Sequence, residues 1–506
     1  MRERTARGIL ALAVLSYIAV LVWFSPLDVQ DYPNHLARAL IMEDLIFQHG
    51  AEFGQIYQFH FLFTPYVLGD LLLATVVHLF GINAAAIIWM LLTFLSLPLS
   101  LFAYLRARQT SAEVTILMLL ISLYLSTDTF FIMGFTEFRL SIALVFVALA
   151  LVEILRRQWS AASYLAFAII VVSAYLTHLA AVAFIAAAIG ASAVWRALLR
   201  KARIGREILL LAPLVSVMIW HVLGASHYRQ PQDQIVDVTT WGTLTDKVLN
   251  LVWGFIRYNP AQECVLLAMF AAFLLFALRD RQGWGREVFF RPQVLEPWGY
   301  AVVFLGVYFA LPYEQAEASY IDVRALALVP LFTILGLLNL PPRQPGVVAR
   351  TNFAATGLAA ALALANLVYL VHHFREDNAW MAQYRAVVAN IPRHGSVFPI
   401  YTAIHQRSIY PKLHAAAFAV IECHALIPYL FSGDLGSPMK YFRYAHRPYA
   451  PNELWYRAGQ DSKTDWQQVH DSYQYLLIMK PFGPSRIPLK TRTVAENDAV
   501  ALLALE

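Results

Sequence analysis

The sequence predicts an all-α polytopic membrane domain of about 11–13 transmembrane helices, followed by a small C-terminal soluble α/β domain. Three observations carry that prediction. Of 506 residues, 59% are hydrophobic and only 14% charged, with a mean hydropathy of +0.55, well beyond soluble averages. Apolar runs recur along the chain at close to the roughly 20 residues that cross a hydrocarbon core. After residue 372 the composition turns polar, aromatic and Pro-rich for about 130 residues, an ordinary domain size. The chain therefore divides into a membrane domain at 1–372 and a C-terminal domain at 373–506.

Residues 8–25 form the first span and not a signal peptide, because no small-residue cleavage site follows and many further apolar segments do. The other candidate spans fall at 64–80, 84–104, 112–128, 138–155, 161–177, 179–195, 208–224, 262–278, 298–312, 325–340 and 352–371. Arginines gather in the short loops between them: Arg2, Arg4 and Arg7; Arg106 and Arg108; Arg156 and Arg157; then 196–206, 279–291, Arg343 and Arg350. The positive-inside rule places these loops in the cytoplasm together with the N-terminus. The first outward loop, 26–63, then shares the other face with 127–137, 225–261, 313–324 and everything after 372. Twelve spans would put both termini on one side, whereas the charges put them on opposite sides, so eleven or thirteen are expected. The irregularity lies between 55 and 111, where Gly69-Asp70 interrupts one segment and Pro98 another; an extra or re-entrant helix belongs there.

The net charge of +5 is accounted for by those loop arginines and predicts no nucleic-acid partner. Cys264 and Cys423 lie far apart and define neither a disulfide framework nor a thiolate metal site. The chain has no internal repeat, phosphate-binding Gly loop, GxSxG or HExxH, which argues against an ATP-driven pump. In the tail, Asn378–Ile391 has helical spacing and stops at Pro392 and Gly395; Ser396–Tyr401 and Tyr473–Met479 read as buried strands.

Chemistry is expected in the first outward loop. Pro33 can start a helix, and the run 33–48 places Leu36, Leu40, Ile41, Leu45 and Phe47 along one side, as in a helix lying in the membrane interface. Asp28 and Asp31 precede that helix, with His35 and Arg38 one and two turns in, so acid, imidazole and guanidinium can converge. Asp31 could instead only cap the helix. A divalent metal (Mg or Mn) could be shared by Asp28, Asp31 and His35, although such a cluster is a weak metal signal. Three other outward patches set charge against apolar segments: Asp128 with Glu137 and Arg139; His178 inside a long apolar run; and Glu314, Glu317, Asp322 and Arg324. The plain reading of Glu137 and Arg139 is an interfacial salt bridge, and that of His178 an interhelical hydrogen bond. Arg324 stands at the outward start of a helix, where a guanidinium can grip a lipid phosphate with two parallel hydrogen bonds or pair with Asp322 or Glu317.

An outward loop bearing Asp after the first helix, interfacial helices, about a dozen spans and an outward C-terminal domain together resemble the GT-C superfamily of polyprenyl-phosphate-dependent glycosyltransferases. Asp28-x-x-Asp31 occupies the place of that superfamily's acidic base or metal ligand, and the run from Phe63 to Gly81 resembles the proline-led segment ending in Phe-Gly of many bacterial members. The likeness covers the membrane region in layout but, in sequence, only these short pieces. It implies an inverting transfer from a polyprenyl-phosphate sugar donor to a glycan, lipid or protein acceptor, at the extracytoplasmic face of a bacterial inner (plasma) membrane. It implies Asp31 as base or metal ligand, with Asp28 and His35 beside it, and an arginine at the place of Arg324 on the donor phosphate, which Arg38 or Arg139 could join; Glu137, His178, Asp128 and Asp322 are then acceptor-binding or supporting residues. The first loop has no adjacent acidic pair and the tail no Trp-Trp-Asp-Tyr-Gly-like segment, which disfavours protein N-glycosylation. The rival class is a transporter or lipid-linked-glycan flippase, which would place its ionisable groups at the bilayer midplane and show internal repeats. A third is a non-catalytic assembly or sensor protein that binds through its tail.

Overall fold

A computed structural model describes residues 2–27, 29–198, 204–228, 239–253, 256–279, 281, 291–315, 319–341, 345–400, 411–428, 430, 442–444, 449, 464–480 and 487–506. Its helices begin with α1 (Arg2–Phe24), α2 (Tyr32–Phe47), α3 (Val67–Phe80), α4 (Ile82–Ala107), α5 (Ala112–Leu125) and the single turn α6 (Thr129–Ile132). Next come α7 (Thr136–Arg157), α8 (Ala161–Thr177), α9 (Leu179–Leu198), α10 (Ile204–Tyr228), α11 (Leu244–Trp253), α12 (Pro260–Leu278) and α13 (Pro292–Ala310). A 3₁₀ turn, Val323–Ala327, leads into α14 (Val329–Leu338); α15 (Pro345–Val388), α16 (Ala417–Cys423) and α17 (Trp466–Ser472) complete the set.

Among the described residues, eight helices are long and apolar enough to cross a membrane, and three shorter apolar ones run Val67–Phe80, Ala161–Thr177 and Val323–Leu338. Each predicted span coincides with a helix, and the fold is the helical bundle with a small C-terminal sheet region that the sequence predicts. Segment 64–80 is helical over Val67–Phe80 and is one of the three shorter apolar helices. At 14 residues, α3 extends about 21 Å, short of a hydrocarbon core of about 30 Å. It lies alongside α2, with Asp70 paired to Arg38 near one end and His78 Nδ1 3.0 Å from Glu43 Oε1 near the other. Both ends of α2 lie beside the C-terminal region, because Asp31 faces His414 and Glu52 faces His394 and His424. Pro98 sits inside α4 without ending it.

The helix predicted at 378–391 is the end of α15, a single 44-residue helix that passes from the bundle to the sheet region. There β4 (Val397–Ile400), β6 (Tyr475–Met479), β7 (Thr491–Glu496) and β8 (Val500–Leu505) form one sheet in the order β4-β6-β8-β7. β4 and β6 are parallel and the other pairs antiparallel. Both predicted strands are present, buried on Val397, Ile400, Leu476 and Leu477. A two-stranded pair, β1 (Tyr57–Phe59) with β5 (Phe442–Tyr444), ties the segment after α2 to the tail, and β2 (Thr239–Thr240) pairs with β3 (Glu314–Gln315).

At the other end of the bundle, arginines meet buried carboxylates across helices. Arg108 and Arg196 both lie 3.1 Å from Glu296, and Arg156 lies 2.6 Å from Glu207. Taking charges out of water is costly unless they pair, so these contacts knit that end together.

Candidate active site

Asp31 stands at the N-cap position of α2, but its side chain makes no capping bond, so the capping role is not the one it performs. Its backbone is held independently: Gln30 N donates to Ile132 O at 3.2 Å and Asp31 N to Met133 O at 3.0 Å. Gly134 makes that approach possible. It has φ +71°, and a Cβ there would come within 2.6 Å of Tyr32 N and 2.8 Å of Asp31 N. Tyr32 donates its hydroxyl to Ala86 O at 2.6 Å and fixes the start of α2 on α4. The Asp31 carboxylate is left to face inward, with Oδ1 3.5 Å from His414 Nε2 and 3.4 Å from Gln30 Nε2, and 14% of the side chain exposed. Burial pushes its carboxyl up to about 7, against the opposing pull of His35, Gln30 and Arg324. His414 is pushed down to about 3 by burial and then by the His35 charge, so it faces Asp31 as a neutral imidazole.

His35 faces away from Asp31, toward two other acids. Its Nδ1 lies 3.5 Å from Glu137 Oε1 on α7 and 4.0 Å from Asp70 Oδ1 on α3, and Arg38 pairs with the other Asp70 oxygen. Burial alone would lower the His35 pKa, but Glu137 and Asp70 hold it up at about 10, so it is a cation at neutral pH. Gly69 leaves room for the Glu137 side chain, since a Cβ there would lie 2.5 Å from Glu137 Cγ.

The metal set expected of Asp28, Asp31 and His35 is not what the described residues assemble. Asp28 lies outside them, and His35 instead joins Asp70 and Glu137, with all three donor atoms within 4.8 Å of one another. Two carboxylates and one imidazole fit the donor chemistry of Mn better than that of Mg, which prefers oxygen ligands. Arg38 and protonated His35 already balance the two negative charges, so an ion binding there would first displace the His35 proton.

Arg324 lies in the 3₁₀ turn, with its guanidinium carbon 5.4 Å and 5.8 Å from the ring centres of Phe135 and Phe138. Its Nη1 is 3.2 Å from His178 Nε2, and its Nη2 donates weakly to Ser319 O at 3.4 Å. His178 Nδ1 accepts from Ala180 N at 3.1 Å. Burial and the Arg324 charge keep this imidazole neutral, so its proton is assigned to Nε2. Nε2–H and Nη1–H therefore face each other as two donors, with the Tyr66 hydroxyl 3.4 Å from the same nitrogen. An anionic oxygen is the group that would satisfy them.

The pairings proposed from sequence are redistributed. Arg139 bonds Asp128 Oδ2 at 2.8 Å, not Glu137, and Asp128 also caps α6 by accepting from Phe131 N. That pair stabilises the turn carrying Gly134. Asp322 bonds Lys247 at 3.2 Å, not Arg324, and Glu317 lies outside the described residues. Of the three arginines expected on a phosphate, only Arg324 has no acidic partner among the described residues. Asp70 enters the sequence reading only as a break in an apolar segment and not as a site residue, and Tyr66 and His414 do not enter it. An Asp inside an apolar run was a usable signal for the first. Nothing local distinguishes Tyr66 or His414.

The bundle, the α2–α3 layer over it and the C-terminal sheet region make one helical membrane-type fold with a small sheet region, and that fold is shared with a solved protein. The chain resembles the crystal structure of ArnT from Cupriavidus metallidurans in the apo state, with TM-score 0.56 and 13% identity over 99% of this chain and 98% of that one. It resembles the same protein bound to undecaprenyl phosphate with TM-score 0.56 and 12% identity, over 98% and 97% of the two chains. No protein-family model and no curated protein sequence matches it.

Proposed function

We propose that this chain is a membrane glycosyltransferase that moves a sugar from a polyprenyl-phosphate-linked donor to a lipid, glycan or protein acceptor. The observation that carries this reading is a raised carboxyl at Asp31 beside a set of donors, on Arg324, His178 and Tyr66, that converge without an acid among the described residues. The fold shared with ArnT, one of whose structures holds undecaprenyl phosphate, supports the lipid donor. The reaction runs at the extracytoplasmic face of the bacterial inner membrane. In support, the arginine clusters lie at the end of the bundle opposite the site, where the positive-inside rule puts the cytoplasm.

In this mechanism the acceptor hydroxyl gives its proton to Asp31 as its oxygen forms the new bond to the anomeric carbon. The bond from that carbon to the phosphate oxygen breaks, and its electron pair leaves with the phosphate. Arg324 and His178 donate to the charge that develops there, which lowers the barrier because those donors are already oriented. His414 fixes the Asp31 carboxylate from the tail side, and the His35–Glu137–Asp70–Arg38 group sets the local field. A divalent ion held by His35, Asp70 and Glu137 would add positive charge beside the same cleft.

The test is transfer of labelled sugar from a panel of polyprenyl-phosphate sugars by purified wild type and by Asp31→Asn, with and without chelator. Loss of a general base is expected to slow transfer by about 10²–10⁴-fold in a folded variant. Turnover by wild type from no donor at all, or undiminished turnover by Asp31→Asn, would remove this reading and leave the flippase standing.

A further inference from the structure

A second cluster of metal-ligating side chains lies away from the site described above, where the segment after α2 meets the C-terminal region. Glu52 Oε2 is 3.3 Å from His394 Nε2 and 3.2 Å from His424 Nδ1, and the three ligand atoms all lie within 4.8 Å of one another. We propose that Glu52, His394 and His424 form a binding site for a zinc-class divalent cation that clasps the tail to the α2 segment.

The spacing supports this. Zinc bonds nitrogen and oxygen at about 2.0–2.1 Å, so two ligands on a tetrahedral ion stand about 3.3 Å apart. The two Glu52 contacts match that edge, and the one to His424 also lies at the long end of the hydrogen-bond range of about 2.7–3.2 Å. The two imidazoles meet at 72° with ring centres 5.8 Å apart, near enough for both to reach one ion. Two imidazoles and one carboxylate suit zinc and its neighbours, not Mg or Ca, which prefer all-oxygen shells. Three protein ligands leave a fourth position to water.

The backbone of both histidines is anchored. His394 lies between the end of α15 and β4 with φ +63°, and donates its N–H to Cys423 O at 3.1 Å; His424 caps α16 at φ +53°. Left-handed backbone is uncommon for residues other than Gly and recurs at functional positions. Glu52 is anchored from the other side, since its N–H donates to Asp44 Oδ1 at 3.1 Å and Asp44 belongs to α2. Arg393 Nη2 also reaches Glu52 Oε2, at 2.9 Å; with 59% of its side chain exposed, it can turn to Oε1 when an ion takes Oε2.

The experiment uses the full-length protein in detergent, prepared without a polyhistidine tag, stripped with chelator and titrated with Co(II), whose visible absorption reports four-coordinate nitrogen and oxygen ligation. Wild type is expected to show that absorption with one equivalent bound, and His394→Ala/His424→Ala to lose that equivalent. His372→Ala/His373→Ala, which alters another exposed His–Glu group, is expected to keep it. Equal stoichiometry in wild type and His394→Ala/His424→Ala, or no four-coordinate absorption in wild type, overturns the site. If the double variant fails to keep its elution position, each single variant is read instead. A loss of tenfold or more in Co(II) affinity supports the site, and unchanged affinity overturns it. None of these readouts depends on sugar transfer.

Discussion

A carboxylate that titrates near pH 7 is half available as a base in neutral water, and Asp31 meets that condition because burial penalises its charge more than His35, Gln30 and Arg324 compensate. The sign follows directly. The base form accumulates as pH rises, so transfer by wild type is expected to climb with pH and level off above about 7, measured as initial rate across pH 5.5–9 in one buffer of constant ionic strength. The same shift acts against stability: the folded state binds the Asp31 proton more tightly than the unfolded chain, so its contribution diminishes as pH rises from the ordinary carboxyl value to about 7. Asp31→Asn cannot ionise, and at pH 8 its thermal midpoint is expected to equal or exceed that of wild type while its transfer is lost; a lower midpoint would contradict the burial account. Arg324 pulls the Asp31 carboxyl down and offers donors without an acidic partner among the described residues. Arg324→Ala is accordingly expected to weaken polyprenyl-phosphate binding by about 10–100-fold, the range of a lost charge-assisted hydrogen bond, and to move the rising limb of the pH profile to higher pH. A variant with the wild-type lipid Kd would separate Arg324 from the phosphate.

At the scale of elements, the site is a meeting of short connections held by long helices. The α5–α7 connection presents Ile132, Met133 and Gly134 to the backbone of Gln30 and Asp31, and Asp128 with Arg139 stabilises that connection from within. Gly134→Ala tests the joint. A Cβ there meets two backbone nitrogens that cannot swing aside, and a positive φ at a non-Gly residue costs about 1–3 kcal/mol more. The variant is expected to melt lower than wild type and to lose most transfer because Asp31 is displaced; wild-type melting together with wild-type rate would show that the joint does not position the acid. The same scale explains α3. Asp70 pairs with Arg38 of α2 and His78 meets Glu43 of α2, so the helix packs along its predecessor.

Across the whole molecule, α15 joins what the composition separates. At 44 residues it extends about 66 Å, roughly twice the hydrocarbon thickness, and its end leads through His394 and β4 to the segment that brings His414 to Asp31. The position of a tail residue at the site thus depends on that helix staying straight. Glu376→Pro, in its second half, would remove a backbone hydrogen bond and kink it at a cost of about 3 kcal/mol or more. Transfer is expected to fall with the bundle's helicity almost unchanged, compared by circular dichroism and by initial rate; full activity in the kinked protein would detach the tail from the chemistry.

Hydrophobic run length, loop arginines and one ionisable cluster were enough, in the sequence by itself, to determine a polytopic helical membrane protein, the places of its helices and the loop in which to look for chemistry. These signals are local, because a lipid environment imposes its demand on each segment separately. Asp31, His35 and Arg38 stand out as candidates for that reason, since charge beside a span is costly and needs a purpose. Which charges pair was decided only by tertiary structure. Arg139 sits two residues from Glu137 yet bonds Asp128, and His35 passes over Asp31 for Glu137 and Asp70. His414 and Arg324 reach the Asp31 region from distant parts of the chain. Partner choice among buried charges depends on which side chains converge in three dimensions, and no spacing along the chain encodes that convergence.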